Sequence, residues 1–149
     1  MKARHKVPRW LRPKLKPDQV RDLGLAHWQN VDALHSGQGD VETLWQIGGG
    51  IFTWSYVANA LQMGMVEMLV QSKLFDRVVA HWRATGRVEW PTPLDYALAA
   101  DGAAVMDELA KRVDQVTAIE AAEWSEKQIN ALSHVQMVAA TDEMEVCHG

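Results

Sequence analysis

Apolar residues recur every three or four positions over most of the chain, which is the spacing of one face of an α-helix. No segment alternates apolar and polar residues in the way that a half-buried β-strand does. In the clearest stretch, the steps between apolar positions are three, four, three, four and three residues. These positions are Leu44, Ile47, Ile51, Trp54, Ala58 and Leu61. The pattern predicts an all-α fold.

Residues that favour helix ends divide this pattern into four main helices. Pro17, Asp40 and Thr92 stand where helices would begin, because proline suits the first turn and the other two suit the N-cap. Gly86 stands where a glycine would end a helix. The predicted main helices cover residues 17–35, 40–63, 65–85 and 93–113.

The C-terminal part carries weaker signals. Thr117 followed by Glu120 matches a capping box, and Ser125 could cap a further segment that ends at Leu132. We therefore expect one or two short C-terminal helices, which with the four main helices form a compact bundle over residues 17–132. An acidic tail is predicted for residues 133–149.

A run of three glycines lies inside the second predicted helix. Gly48, Gly49 and Gly50 would cost about 3 kcal/mol relative to alanine in a helix. The apolar phase is nevertheless the same before and after them, which a loop would normally change. We predict one helix through the triplet, in which the glycines and the nearby Trp54 allow another helix to pack closely. A phosphate-binding loop is not expected, because no lysine follows the glycines.

Charge is divided very unevenly along the chain. Residues 1–21 contain eight lysines and arginines and one acid, whereas the remainder contains seven bases and eighteen acids. Three prolines, Pro8, Pro13 and Pro17, disfavour helix in the basic part, since each holds the preceding residue in an extended conformation. The sequence predicts an extended basic arm over residues 1–16, attached to an acidic body.

This arm carries the residues that we expect to bind a partner, since bases with an interleaved aromatic ring can contact an acidic surface. They are Arg9, Trp10, Arg12, Lys14 and Lys16. One hypothesis is a protein partner or a sister subunit, so that the protein is a homo-oligomer. The alternative is nucleic acid, because such an arm neutralises phosphates and stacks on bases.

The chain offers little that resembles a catalytic or metal site. Its six histidines include no pair with the spacing and the intervening glutamate of a zincin, and His27, Asp32 and His35 would splay apart on a helix. His27 lies on an apolar face, so it is predicted to be a hydrogen-bonded core residue. We expect no metal, no cofactor and no catalytic residue, although a small enzyme is a third hypothesis.

Composition sets the remaining limits. The chain has 149 residues, of which 48% are hydrophobic and 23% charged, as in a single globular domain. No apolar run approaches the roughly 18–20 residues of a membrane span. The one cysteine, Cys147, fits a reducing compartment. We therefore expect a cytoplasmic protein with no membrane contact.

The segment at residues 23–32, with the sequence LGLAHWQNVD, continues to Leu-Trp-Gln at 44–46 and Thr-Trp at 53–54. This tryptophan-rich helical pattern resembles small uncharacterised proteins of bacteriophages and prophages. The resemblance implies an accessory role, either on a host protein or within a phage assembly. The function expected from the sequence is thus non-catalytic protein binding.

Overall fold

The structure is a computed structural model of the chain, and it describes residues 7–8 and 11–148, with side chains described as far as residue 132. Over these residues the backbone forms five α-helices and no β-strand. The helices are α1 (Pro17–Ser36), α2 (Val41–Leu61), α3 (Met65–Thr85), α4 (Pro93–Arg112) and α5 (Gln115–His148). The prediction of an all-α fold is confirmed for this part of the chain.

Three of the first four helices, α1, α2 and α4, begin at the residues that favour helix starts. α1 begins at Pro17, and the Asp40 carboxylate caps α2 by accepting the backbone N–H of Thr43 at 2.9 Å. The Thr92 hydroxyl caps α4 in the same way. α3 ends at Thr85, and the residue after it, Gly86, has a φ of 73°, in the left-handed region that a glycine enters without steric cost.

The C-terminal part differs from the prediction of one or two short helices. It forms one helix of 34 residues, and its cap is Asp114 rather than Thr117. The Thr117 hydroxyl donates to the Asp114 carboxylate at 2.6 Å, and the Ser125 hydroxyl donates to the carbonyl oxygen of Gly49 at 2.6 Å. Neither hydroxyl starts a helix, because each is buried and bonded to another part of the fold.

α2 is the central helix of the described structure, since it contacts each of the other four. α1 and α3 also contact α4, whereas α5 packs against α2 alone among the described helices. The core lies around α2, and its fully buried side chains include Val31, Leu44, Val57, Leu74 and Leu109. Measured over the described residues, no helix combines the length and the hydropathy of a membrane span.

Two leucines lie on the outer faces of their helices. Leu69 of α3 is 56% exposed and Leu94 of α4 is 67% exposed. The buried face of α4 is instead built from small residues, including Ala99, Gly102 and Ala103. A methyl group at Gly102 would overlap the side-chain amide of Gln71 in α3, so α4 turns its small residues inward to let α3 approach.

Candidate functional site

The arm that was predicted to bind a partner is attached to the start of α5. Gln115 donates its backbone N–H to the carbonyl oxygen of Pro13 at 2.9 Å, and its side-chain amide donates to the carbonyl oxygen of Lys14 at 3.1 Å. Lys14 and Asp114 form an isolated antiparallel bridge. Residues 13–14 are therefore held against the body by hydrogen bonds to their backbone carbonyls, and Lys14 and Gln115 lie 101 positions apart in the chain.

Arg12 has its partner within the chain. Its guanidinium lies 3.8 Å from the Asp114 carboxylate, its Nε donates to the carbonyl oxygen of Val7, and only 18% of its side chain is exposed. Burial would raise the pKa of Asp114, but hydrogen bonds from Thr117 and the charge of Arg12 hold it below its usual value. Arg12 thus anchors the arm to the cap of α5.

The other predicted contact residues fall into two groups. Lys14 and Lys16 are exposed, and neither side chain forms an ion pair within the part of the chain that the structure describes. Arg9 and Trp10 lie outside the described residues. Of the five predicted binding residues, Lys14 and Lys16 are the ones that the structure places with their charges facing solvent.

The glycine triplet lies within α2, which continues through it as the apolar phase predicted. The side chain that lies nearest differs from one glycine to the next. A methyl group at Gly48 would lie 2.5 Å from Cζ of Phe75 in α3, whereas one at Gly49 would lie at an ordinary 3.7 Å from the Ser125 hydroxyl. The missing side chains let several helices approach α2 closely at one level.

Gly50, the third glycine, faces α1. A methyl group there would lie 2.9 Å from Nδ1 of His27, so the imidazole occupies the space that a side chain would take. Trp54, one turn further along α2, is 6% exposed and also lies beside His27. The triplet therefore accommodates both core packing and one buried histidine.

His27 faces a cleft of about 210 Å³. One wall of the cleft belongs to α1, the floor to α2, and the other wall to Ala118 and Ala122 of α5. α1 and α5 do not contact each other in the described structure, which leaves the cleft between them. Three further polar side chains line it, namely Asn30, Gln46 and Thr53. We call this feature the His27 cleft.

The His27 side chain lies largely in the core, as predicted, and none of the described residues forms a hydrogen bond with its ring. Among the described residues no fully buried side-chain nitrogen or oxygen lacks a partner, so the ring nitrogens of His27 reach the solvent of the cleft. The residue is 8% exposed. Burial lowers its pKa from 6.5 to about 4, because the charged imidazolium would lose its hydration. At neutral pH the ring is uncharged and presents one donor and one acceptor nitrogen.

Asp32 and His35, which were grouped with His27 in the sequence, both contact Tyr96 of α4. Tyr96 donates its hydroxyl to the Asp32 carboxylate at 2.8 Å, and its ring stacks on His35 with the centroids 3.9 Å apart. The hydrogen bond to Asp32 raises the pKa of Tyr96. His27 takes no part, so the three residues do splay apart. Within the described chain, no three His, Cys, Asp or Glu side chains are grouped to hold a metal ion.

A cluster of apolar side chains faces solvent at the corner between α2 and α3. Five of the eight residues from 63 to 70 are large, apolar and exposed. They are Met63, Met65, Val66, Leu69 and Val70, and we call them the corner patch. Val66 is the most open of them, with 72% of its surface exposed. The sequence analysis did not identify this patch. The available signal was that six of the eight residues from 63 to 70 are apolar, which is more than a helix with one buried face requires.

A groove adjoins the corner patch. It has a volume of about 400 Å³ and lies between Met63 and Gly64 on one side and Val105 and Leu109 of α4 on the other. Gly64 has a φ of 72°, and a methyl group there would lie 3.2 Å from Val105, so a side chain would be strained and would narrow the groove. The groove has room for one large apolar side chain.

The comparisons with known proteins identify no relative. The chain matches no protein-family model, and it has no significant match among curated proteins or solved structures.

Proposed function

We propose that the protein is a non-catalytic protein-binding protein whose main interface is the corner patch. The observation that carries this proposal is the exposure of five neighbouring apolar side chains. Four of them lie on the first two turns of α3, and the fifth is Met63, two residues before the helix. Single exposed apolar residues are common on protein surfaces, whereas contiguous patches mark interaction sites.

The free energy of such an interface comes from removing apolar surface from water. Each Å² of apolar surface that a partner covers contributes about 25 cal/mol. Val66 and Val70 are one turn apart on the outer face of α3, as are Met65 and Leu69, so a single helix laid along α3 can cover all four. The neighbouring groove would take one anchoring side chain from that partner.

A second copy of the chain supplies a suitable partner. Glu67 lies at one end of the exposed face of α3 and Lys73 lies beyond the other end. If two copies of α3 pair in antiparallel orientation about Val70, Glu67 of each copy comes opposite Lys73 of the other. Apolar side chains then meet at the centre and opposite charges at the rim, which is the arrangement of a twofold interface.

The exposed lysines of the arm fit the same proposal. Lys14 and Lys16 belong to the basic N-terminal part, while residues 22–149 carry an excess of acids. In an assembly, these lysines could contact the acidic body of a neighbouring subunit or of a partner. The accessory role in phage biology that the resemblance implies is compatible with this binding function.

The proposal is tested by measuring the molar mass in solution over a range of protein concentrations. We expect the wild type to shift from monomer to dimer as concentration rises, and the variant Leu69→Asp to remain a monomer, because a charge in the interface would lose its hydration. Leu94→Asp is the matched control, since Leu94 is exposed on α4 at a distance from the patch. The self-association is disproved if the wild type stays a monomer throughout, or if both variants behave alike.

A further inference from the structure

Methionine is unevenly distributed among the exposed apolar residues of the described structure. Two of the five corner-patch residues are methionines, Met63 and Met65, with 37% and 40% of their surfaces exposed. The nine other large apolar residues that the described structure exposes are valines, leucines, an isoleucine and a tryptophan. In this part of the chain, the corner patch therefore differs from every other exposed apolar residue in carrying thioether groups.

The other two methionines with described side chains are buried. Met68 of α3 is 1% exposed and Met106 of α4 is 3% exposed, so an oxidant dissolved in water reaches their sulfur atoms only when the fold opens. Met63 and Met65 need no such opening. The protein thus contains one open and one covered pair of methionines, which differ in how fast they can react.

Oxidation reverses what a thioether contributes to an apolar surface. The sulfur of methionine takes one oxygen atom from hydrogen peroxide. The O–O bond breaks, an S–O bond forms and water leaves, so the sulfur loses two electrons and the peroxide gains them. The product, methionine sulfoxide, is polar. Covering it with a partner removes its hydration, which costs free energy instead of releasing it.

Both exposed methionines lie where a partner on the corner patch has to cover them. Met63 lines the groove of about 400 Å³ on the α4 side, which is proposed to take an anchoring side chain. Met65 lies one turn before Leu69, and the two border a depression of about 270 Å³ on the α2 side. Sulfoxides at these two positions therefore place polar groups on both flanks of the corner patch.

We infer that Met63 and Met65 are an oxidation switch: hydrogen peroxide converts them to sulfoxides, and the protein then loses its self-association. This inference rests on the proposed function, because it concerns the regulation of the same interface. The reaction takes place on the free subunit, since the dimer covers both side chains. Methionine sulfoxide reductases reverse it, with two thiols becoming a disulfide while the sulfoxide oxygen leaves as water.

The first experiment measures the oxidation of each methionine by tandem mass spectrometry after treatment with hydrogen peroxide. It uses the full chain with Cys147→Ser, because a free thiol also reacts with peroxide. In dilute protein we expect Met63 and Met65 to react at least about tenfold faster than Met68 and Met106. We also expect their reaction to slow as the protein concentration rises and dimers form. Equal rates at the four sites overturn the inference, whether or not the protein associates.

The second experiment compares the molar mass of the reduced and the oxidised protein over the same range of concentrations. We expect oxidation to raise the dissociation constant of the dimer at least about tenfold, because two sulfoxides from each subunit enter one interface. The matched control is the double variant Met63→Leu with Met65→Leu, which keeps apolar side chains of similar size. It should dimerise as the reduced wild type does, and peroxide should leave its dissociation constant unchanged. Treatment of the oxidised wild type with a methionine sulfoxide reductase and dithiothreitol should restore the dimer.

The outcomes of the second experiment separate this inference from the proposed function. A wild type that stays a monomer when reduced overturns the proposed function and the switch together. A wild-type dimer whose dissociation constant is unchanged by oxidation overturns the switch alone. A double variant that dissociates on oxidation as the wild type does also overturns it, because the sensitive group then lies elsewhere in the chain.

Discussion

α2 and the beginning of α3 follow each other in the chain and are similarly rich in apolar residues, yet their environments are opposite. α2 contacts all four other helices, and Leu44, Ile47 and Ile51 on it are almost completely buried. The corner patch on α3 faces solvent, with Val66 72% exposed. Apolar content alone therefore does not decide burial. The difference lies in the neighbours, because the glycines of α2 let other helices approach from several sides, whereas no described helix covers the outer face of α3.

The largest difference is expected when one apolar side chain from each region is truncated. Trp54→Ala should lower the free energy of unfolding by about 3–5 kcal/mol, because it empties a packed site. Leu69→Ala should change it by less than about 0.5 kcal/mol, because Leu69 is mostly exposed. Urea unfolding at low protein concentration, where association is weak, measures both. Similar losses in the two variants would show that the corner patch is covered within the monomer.

The pH dependence of stability tests the burial of His27 beside α2. The unfolded chain binds a proton at this histidine below pH 6.5, whereas the folded protein does so only near pH 4. The unfolded state thus holds more protons between these values, and the free energy of unfolding falls as pH decreases from 6.5 to 4. The contribution of His27 is about 3 kcal/mol at most.

The contribution of His27 is isolated by comparing the wild type with His27→Phe over that pH range. We expect the difference between the two unfolding free energies to change with pH, because the variant lacks the titrating group. His35→Phe, which replaces an exposed histidine by the same residue, is measured alongside as the control for the substitution itself. If the difference for His27→Phe is constant with pH, the imidazole is accessible to protons in the folded protein.

Two adjacent glycines of α2 provide a narrower test of close packing. Gly48→Ala should destabilise the protein by about 1–3 kcal/mol, because its methyl group would press on the ring of Phe75. Gly49→Ala should stabilise it by up to about 1 kcal/mol, because alanine favours the helix and its methyl group meets only an ordinary contact. Thermal unfolding of both variants measures this. Equal effects would mean that α3 does not approach α2 as closely as the structure shows.

The smallest effect on stability is expected for Lys14 and Lys16 of the arm, whose side chains, like those of the corner patch, are exposed to solvent. Replacing Lys14 and Lys16 by alanine should change the free energy of unfolding by less than about 0.5 kcal/mol.

The same variant tests the nucleic-acid alternative, in which affinity for a DNA duplex would fall steeply with salt. If the wild type binds DNA in this way and the variant binds less tightly with a weaker salt dependence, the alternative is favoured over protein binding.

Much of the fold follows from local chemistry. Pro17, Asp40, Thr92 and Gly86 act at helix ends through their own backbone and side-chain geometry, which needs no distant partner. The unbroken apolar phase on α2 was likewise enough to predict a helix through the glycines.

The sequence analysis was less successful in the C-terminal part and wherever residues distant in the chain meet. The sequence analysis assigned a cap to Thr117, whereas Asp114 caps α5, and the hydroxyl of Ser125 bonds to Gly49, 76 positions away. The position of the Arg12 guanidinium, 3.8 Å from the Asp114 carboxylate, also depends on residues far apart in the chain. The surroundings of the His27 ring could not be foreseen either, because they depend on what α2 and α5 place around it.

The sequence by itself determined the helical class, the starts of four helices and the basic character of the arm, since each depends on residues that are near neighbours in the chain. Only the tertiary structure decided which apolar residues remain exposed, which helix each glycine faces and which polar groups surround the cleft. The physical reason is that burial and hydrogen bonding are properties of pairs of segments, and the side-chain pattern of a single helix does not specify its partners.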